Sequence, residues 1–424
     1  MPAVALRLPG RRGTPQTYDL PSLEPRSTRF SAGPAVDRVV GFSGDDDLVY
    51  AMVGTDLAIL DLRTGRYRTL DSSVTRAGIA PTGTVLLART DGSFGLAAER
   101  RVAPAPTLPA LGTIEDAWVL PAGRLAVIAR GDSGRALHIV GGGTSTTPRA
   151  LPEGPVTRSP WGDVAAVASP EGVLLLEVLR EAPPQNLRVR ADLRALAFSA
   201  SGHRLYAATA EPEILVFERY EGDALDRIRL ESAATDLRAD PFGRYLFAAV
   251  GDGITVVTLA DDEVIRLAGT WGPDLPTAAP DGTILLARGE DVVAVRPGEE
   301  APRGVVARAA SDHWIIAPLD LRRAAAQLAT ADGGGAAAAG PGGGAVYVQV
   351  SSTSNAQWAD GLAADLRTAG MQARVLPPAD AEEMYRVVLG PYATREEAET
   401  IGRKLGMPYW IFQRDTTTTG ETPS

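Results

Sequence analysis

The sequence predicts a multidomain chain: an all-β seven-bladed propeller followed by a small α+β ferredoxin-like βαββαβ domain. Three observations predict it. A short cassette recurs about every forty residues through the first three quarters of the chain. A Gly/Ala-rich stretch then interrupts all periodicity from Gly333 onward. Beyond it, strand and helix patterns follow one another in the order β, α, β, β, α, β. The boundaries expected from these breaks are residues 1–320 for the propeller, 321–345 for a linker, 346–413 for the second domain and 414–424 for a disordered tail.

The cassette is an apolar residue, Ser or Pro, a Gly turn and an apolar strand. Its copies include "IAPTGTVLLAR" (79–89), "VLPAGRLAVIAR" (119–130), "RSPWGDVAAVAS" (158–169), "FSASGHRLYAAT" (198–209), "ADPFGRYLFAAV" (239–250) and "AAPDGTILLAR" (278–288). Their glycines are Gly83, Gly123, Gly162, Gly202, Gly243 and Gly282, with gaps of 40, 39, 40, 41 and 39. An earlier copy, "GFSGDDDLVYAMV" (41–53), makes seven. A fixed period near this length, filled with short strands, is the mark of a β-propeller. After each Gly turn the sequence continues strand, turn, strand, as in "DGITVVTLADDEVIRLAG" (252–269). The turns use Thr-Gly, Asp-Gly and Asp-Asp, which tolerate tight hairpin backbones. "DHWIIAPLD" (312–320) is the last strand candidate, and "AVALRLP" (3–9) is its possible partner, so both chain ends are expected to complete the seventh blade.

The linker, "LRRAAAQLATADGGGAAAAGPGGGA" (321–345), opens with a possible short helix and passes into a flexible run that can bury no core. Behind it, "AVYVQVSS" (345–352) alternates as a strand does. "NAQWADGLAADLRTAG" (355–370) spaces Trp358, Leu362 and Leu366 for a helix, with Asn355 and Gly370 as caps. "MQARVLPP" (371–378) and "EMYRVVLGPY" (383–392) are two more strands. "TREEAETIGRKLG" (394–406) is a helix with Thr394 and Glu397 as a capping box. "PYWIF" (408–412) is the last strand.

Composition excludes several classes. The formal net charge of −10 argues against general nucleic-acid binding, which needs clustered Lys and Arg. An RNA recognition motif shares the βαββαβ order, but residues 346–424 hold seven basic and ten acidic side chains. There is no cysteine, which removes disulfides, thiolate metal sites and a cysteine nucleophile. No apolar run is long enough for a membrane span. The opening "MPAVALRLPGRRGTPQTYDLP" lacks the apolar core of a signal peptide. The three histidines, His138, His203 and His313, fall at unrelated cassette positions and read as turn or surface residues. Asp45, Asp46, Asp47, Asp261 and Asp262 read as solvated turn residues. No cofactor or metal is expected, and no catalytic residue is assigned.

The cassette "FSASGHRLYAAT" resembles the WD40-like and lactonase-like propeller superfamily over roughly residues 30–319, without the Trp-Asp and Gly-His marks of WD40 repeats. The resemblance implies architecture and leaves activity open. Residues 346–412, with "YVQV" and "YRVVLGPY" at their separation, resemble the SPOR domain family. That family binds bacterial peptidoglycan, preferring glycan strands without stem peptides. The resemblance implies glycan contacts from Gln349 and Ser352 on the first strand, Met384 and Arg386 on the third and Ile411 on the last. Members usually carry Gly-Ser-Phe where this chain has Ser351, Ser352 and Thr353, so the packing at the helix entry is expected to differ.

Residue chemistry agrees with that implication. A sugar ring presents an apolar face and a hydroxyl rim, and stripped peptidoglycan exposes a lactyl carboxylate that Arg takes with two parallel bonds. On an extended strand Met384, Arg386 and Val388 share one face, while Tyr385, Val387 and Leu389 share the other and face the helices. The implied protein is a non-enzymatic scaffold of the cell envelope, at the division septum. It is expected in the periplasm, with the cytoplasm as the alternative, and an unidentified protein partner on one propeller face. The rival is a hydrolase or lyase propeller tethered to the wall, which convergent carboxylates or a metal would favour.

Overall fold

The computed structural model describes residues 4–27, 30–43, 47–79, 84–98, 101–104, 111–120, 124–141, 147–160, 162–178, 182–200, 202–219, 224–279, 281–299, 301–317, 345–353, 359–360, 363–364, 366–367, 371–377, 385–394, 397–398, 401 and 410–414. The chain divides into two compact units, Met1–Ala324 and Ala325–Ser424. Among the described residues no helix is long and apolar enough to cross a membrane.

The first unit is built from four-stranded antiparallel meanders. They span residues 38–71, 74–104, 113–150, 156–188, 193–229, 234–267 and 277–307, each with its strands in sequence order. Each holds one of the seven cassette copies. The cassette turn joins the first strand of a blade to its second, and the described cassette glycines show why the repeat needs them. Gly162, Gly202, Gly243 and Gly282 have φ of 69°, 71°, 70° and 87°. Their N–H groups donate to the carbonyls of Ser159, Ser199, Asp240 and Ala279. The side chain at that leading position often adds a second tie. Ser159 Oγ accepts from Val164 N–H and Ser199 Oγ from Arg204 N–H, while the Asp240 carboxylate accepts from Phe242 and Arg244 N–H.

The chain ends behave differently from the expectation. They do not complete the seventh blade, which already has four strands of its own. They make an additional three-stranded sheet, ordered Gln16–Asp19, Val4–Leu8, His313–Ala317. Val4 pairs with Ala317 and Leu8 with His313, so the first and last strands of the unit are antiparallel neighbours. This sheet packs against a blade on each side. Leu6 and Leu8 join Val49, Ala51 and Leu60 of blade 1. Ala5, Tyr18 and Trp314 join Leu285, Ala287 and Val292 of blade 7. The ring therefore closes through an eighth blade, which the cassette count misses because no cassette encodes it.

The second unit is one antiparallel sheet in the order Ala373–Leu376, Tyr385–Tyr392, Ala345–Thr353, Trp410–Arg414. That is the strand order of a ferredoxin-like βαββαβ domain. The described helical positions Ala359, Ala363, Leu366 and Ala398 are buried. The caps Asn355 and Gly370, with Trp358 and Leu362, lie outside the described residues. The second helix starts as expected: Thr394 Oγ1 accepts from Glu397 N–H at 3.1 Å. The Glu397 carboxylate reaches back to Ala393 N–H, also at 3.1 Å, one residue earlier than the standard box.

Candidate functional site

Register sorts the terminal sheet into rows, because paired residues share a face. One row is Ala373, Leu389, Val348 and Ile411. Leu389 and Val348 are fully buried and Ala373 nearly so; Val387, two residues away, and Val388 in the next row are fully buried as well. The next row is Arg374, Val388, Gln349 and Trp410. Beside it, Arg386 pairs with Leu376 on one side and Ser352 on the other. These rows belong to the opposite face. Gln349 and Arg386 are half-buried there and Arg374 is exposed.

Of the residues implied by sequence, Gln349 and Arg386 stand on this face, and Ser352 is Arg386's main-chain neighbour. Met384 lies outside the described residues, the strand beginning at Tyr385. Ile411 is paired with Val348, and Trp410 holds the place beside Gln349. Residues 354–358, where altered helix-entry packing was expected, are likewise outside the description.

The residue that sequence reasoning missed is Arg374. Its guanidinium lies over the Tyr347 ring, 5.3 Å from the centroid. Its Nε and Nη2 both donate to the Gly390 carbonyl, at 3.1 and 2.8 Å. Gly390 holds φ at 114°, a conformation suited to glycine, and this presents its carbonyl to the arginine. The result is a fixed aromatic–guanidinium pair beside Gln349 and Arg386. Such a face offers flat apolar area, an amide and cationic donors, which is the chemistry a sugar with a carboxylate calls for.

In the propeller, the titratable groups singled out by sequence serve local structure. Asp261 accepts the Thr258 hydroxyl in a hairpin, and Asp47 and Asp262 hold positive φ; Asp45 and Asp46 lie outside the described residues. His138 pairs with Val127 within blade 3, and burial lowers its pKa. His203 is half-buried in its cassette turn, and burial pushes its imidazole down to about 4, beside the buried Asp163–Arg219 ion pair. His313 opens the inner strand of the eighth blade, with Nδ1 2.6 Å from Asp274 Oδ2. That bond holds its pKa above the ordinary value. Among the described residues no group of three or more His, Asp or Glu is placed to hold a metal ion.

Comparison with known proteins follows the same division. Residues 342–406 match the SPOR domain family. No curated protein matches the sequence. Among solved structures, apo AztD from Citrobacter koseri is similar at a TM-score of 0.54 and 12% identity, covering 74% of this chain and 98% of that one. A crystal structure of Citrobacter koseri AztD gives a TM-score of 0.55, with the same identity and coverage. At that identity the likeness shows the fold alone. The chain thus carries a β-propeller and, at residues 342–406, a SPOR domain, a module that supports a peptidoglycan-binding role in the cell envelope.

Proposed function

We propose that the terminal sheet binds peptidoglycan glycan strands lacking stem peptides and so holds the propeller at the cell wall, at division septa. The observation that carries the reading is the row Arg374–Val388–Gln349 with Arg386 beside it, on the face opposite the buried Val387 and Leu389. Tyr347 with Arg374 provides a platform for a sugar face, and Gln349 meets hydroxyls. Arg386 takes the lactyl carboxylate that stem-peptide removal exposes. Ser352 and Met384 complete the contact set by family resemblance, while Ile411, also implied by it, pairs with Val348 in the other row. The ligand places the protein in the periplasm, and the propeller acts there as a non-enzymatic scaffold for a protein partner. Co-sedimentation of the full chain with purified sacculi, before and after amidase treatment, tests the reading. Stripping the stem peptides raises retention; equal retention on both would remove the preference for stripped glycan.

A further inference from the structure

A second site lies in the propeller and does not rest on the terminal-domain reading. The segments leading into the inner strands of blades 7, 8 and 1 enclose a cleft of about 420 Å³. That volume falls within the range of small-molecule sites. Its wall includes Trp271, whose ring is locked from behind. Arg238 stacks over it at 4.8 Å, and Trp271 Nε1 donates to Asp236 Oδ2 at 3.1 Å. Arg238 is itself tied to the Gly272 and Pro276 carbonyls, at 2.8 and 3.0 Å. The indole is therefore a prepositioned flat surface.

Two donors at this cleft have no acceptor. Trp314 lines it, is 1% exposed, and its Nε1–H meets no acceptor within the protein. Arg308 Nε, on another lining residue, is in the same condition. Both atoms are themselves enclosed by protein, so the accessible groups of the lining decide what the cleft takes. Carboxylates stand on the same lining: Asp37 and Asp274, the latter fixed by His313. A partner that brings both hydroxyl donors and acceptors, and also an apolar face for an indole, is a polyhydroxylated ring.

We propose that this cleft binds a sugar, with the apolar ring face along Trp271 and the hydroxyls meeting Asp37 and Asp274. Calorimetric titration of the full chain with glucose, galactose, N-acetylglucosamine and N-acetylmuramic acid tests it, with the same titrations on Trp271→Ala, Trp271→Phe and Arg386→Ala. At least one sugar binds saturably; Trp271→Ala weakens it about ten-fold or more. Trp271→Phe, which keeps an aromatic face, retains binding, and Arg386→Ala leaves it unchanged. Circular dichroism melts show that each variant is folded. Absence of saturable heat with all four sugars overturns the proposal, as does binding that follows Arg386 and ignores Trp271.

Discussion

The middle strands of the propeller blades are buried at nearly every position, whereas the terminal sheet sets exposed and half-buried polar residues beside its buried ones. Leu48 to Met52 in blade 1 and Leu125 to Ala129 in blade 3 are buried at every position, because a neighbouring blade lies on each side. In the terminal sheet the short strand Ala373–Leu376 runs from buried Ala373 to exposed Arg374. The difference decides where arginine can stand. In the propeller, arginines on the first strand of a blade tie it to the next. Arg38 donates to the Ala77 carbonyl, Arg76 to that of Glu115, and Arg238 to two carbonyls ahead of blade 7. In the terminal sheet Arg374 and Arg386 each stand second in their strands, Arg374 exposed and Arg386 half-buried. On the proposed reading, a planar multi-donor side chain ties blades together in one unit and meets ligand in the other.

Breaking the two-sided burial gives the largest effects. Asp163 and Arg219 form an ion pair between blades 4 and 5, with side chains 7% and 4% exposed. Asp163→Ala leaves a buried guanidinium without its counter-charge and costs about 3–5 kcal/mol, read from urea unfolding. Leu6→Ala tests whether the amino-terminal strand closes the ring. Leu6 is fully buried against blade 1, and its truncation costs about 2–5 kcal/mol. Gly202→Ala isolates the cassette turn. A Cβ there meets only ordinary contacts, the nearest being Pro160 Cδ at 3.4 Å, so the cost is the positive φ alone, about 1–2 kcal/mol.

Smaller effects come from two of the propeller histidines, His313 and His203, which depend on pH in opposite senses. His313 has a raised folded pKa, so its contribution is fully present below about 6.5 and is lost as pH rises through the folded value. His203 resists protonation until about 4, while the unfolded chain takes the proton near ~6.5. Stability therefore falls as pH drops across that interval. Urea midpoints measured against pH show the first dependence vanish in His313→Gln and the second in His203→Gln.

The forty-residue period was legible because the cassette turns at Gly162, Gly202, Gly243 and Gly282 need a left-handed residue, and glycine marks that place in the sequence. The eighth blade was not, because its strands come from opposite ends of the chain and lack the cassette. Only their apolar runs, at residues 3–9 and 312–320, hinted that they pair. In the terminal domain strand order was readable from alternation and capping. Arg374 was not, since "MQARVLPP" says only that a strand is present. Its role depends on register beside Val388 and on the Gly390 carbonyl, both of which are tertiary facts. Trp271 and Trp314 were silent for the same reason: residues 43 apart in sequence meet only once the ring has closed.

The most direct test of the account compares the full chain with its Arg374→Ala/Arg386→Ala form on amidase-stripped sacculi, alongside thermal melts of both. Arg386 and Arg374 lie in the second unit, so their removal is predicted to leave the propeller transition in place. Retention is predicted to fall about ten-fold or more, the loss of two charge-assisted contacts. Equal retention of the two proteins, with matching melts, would contradict the claim that this face holds the wall.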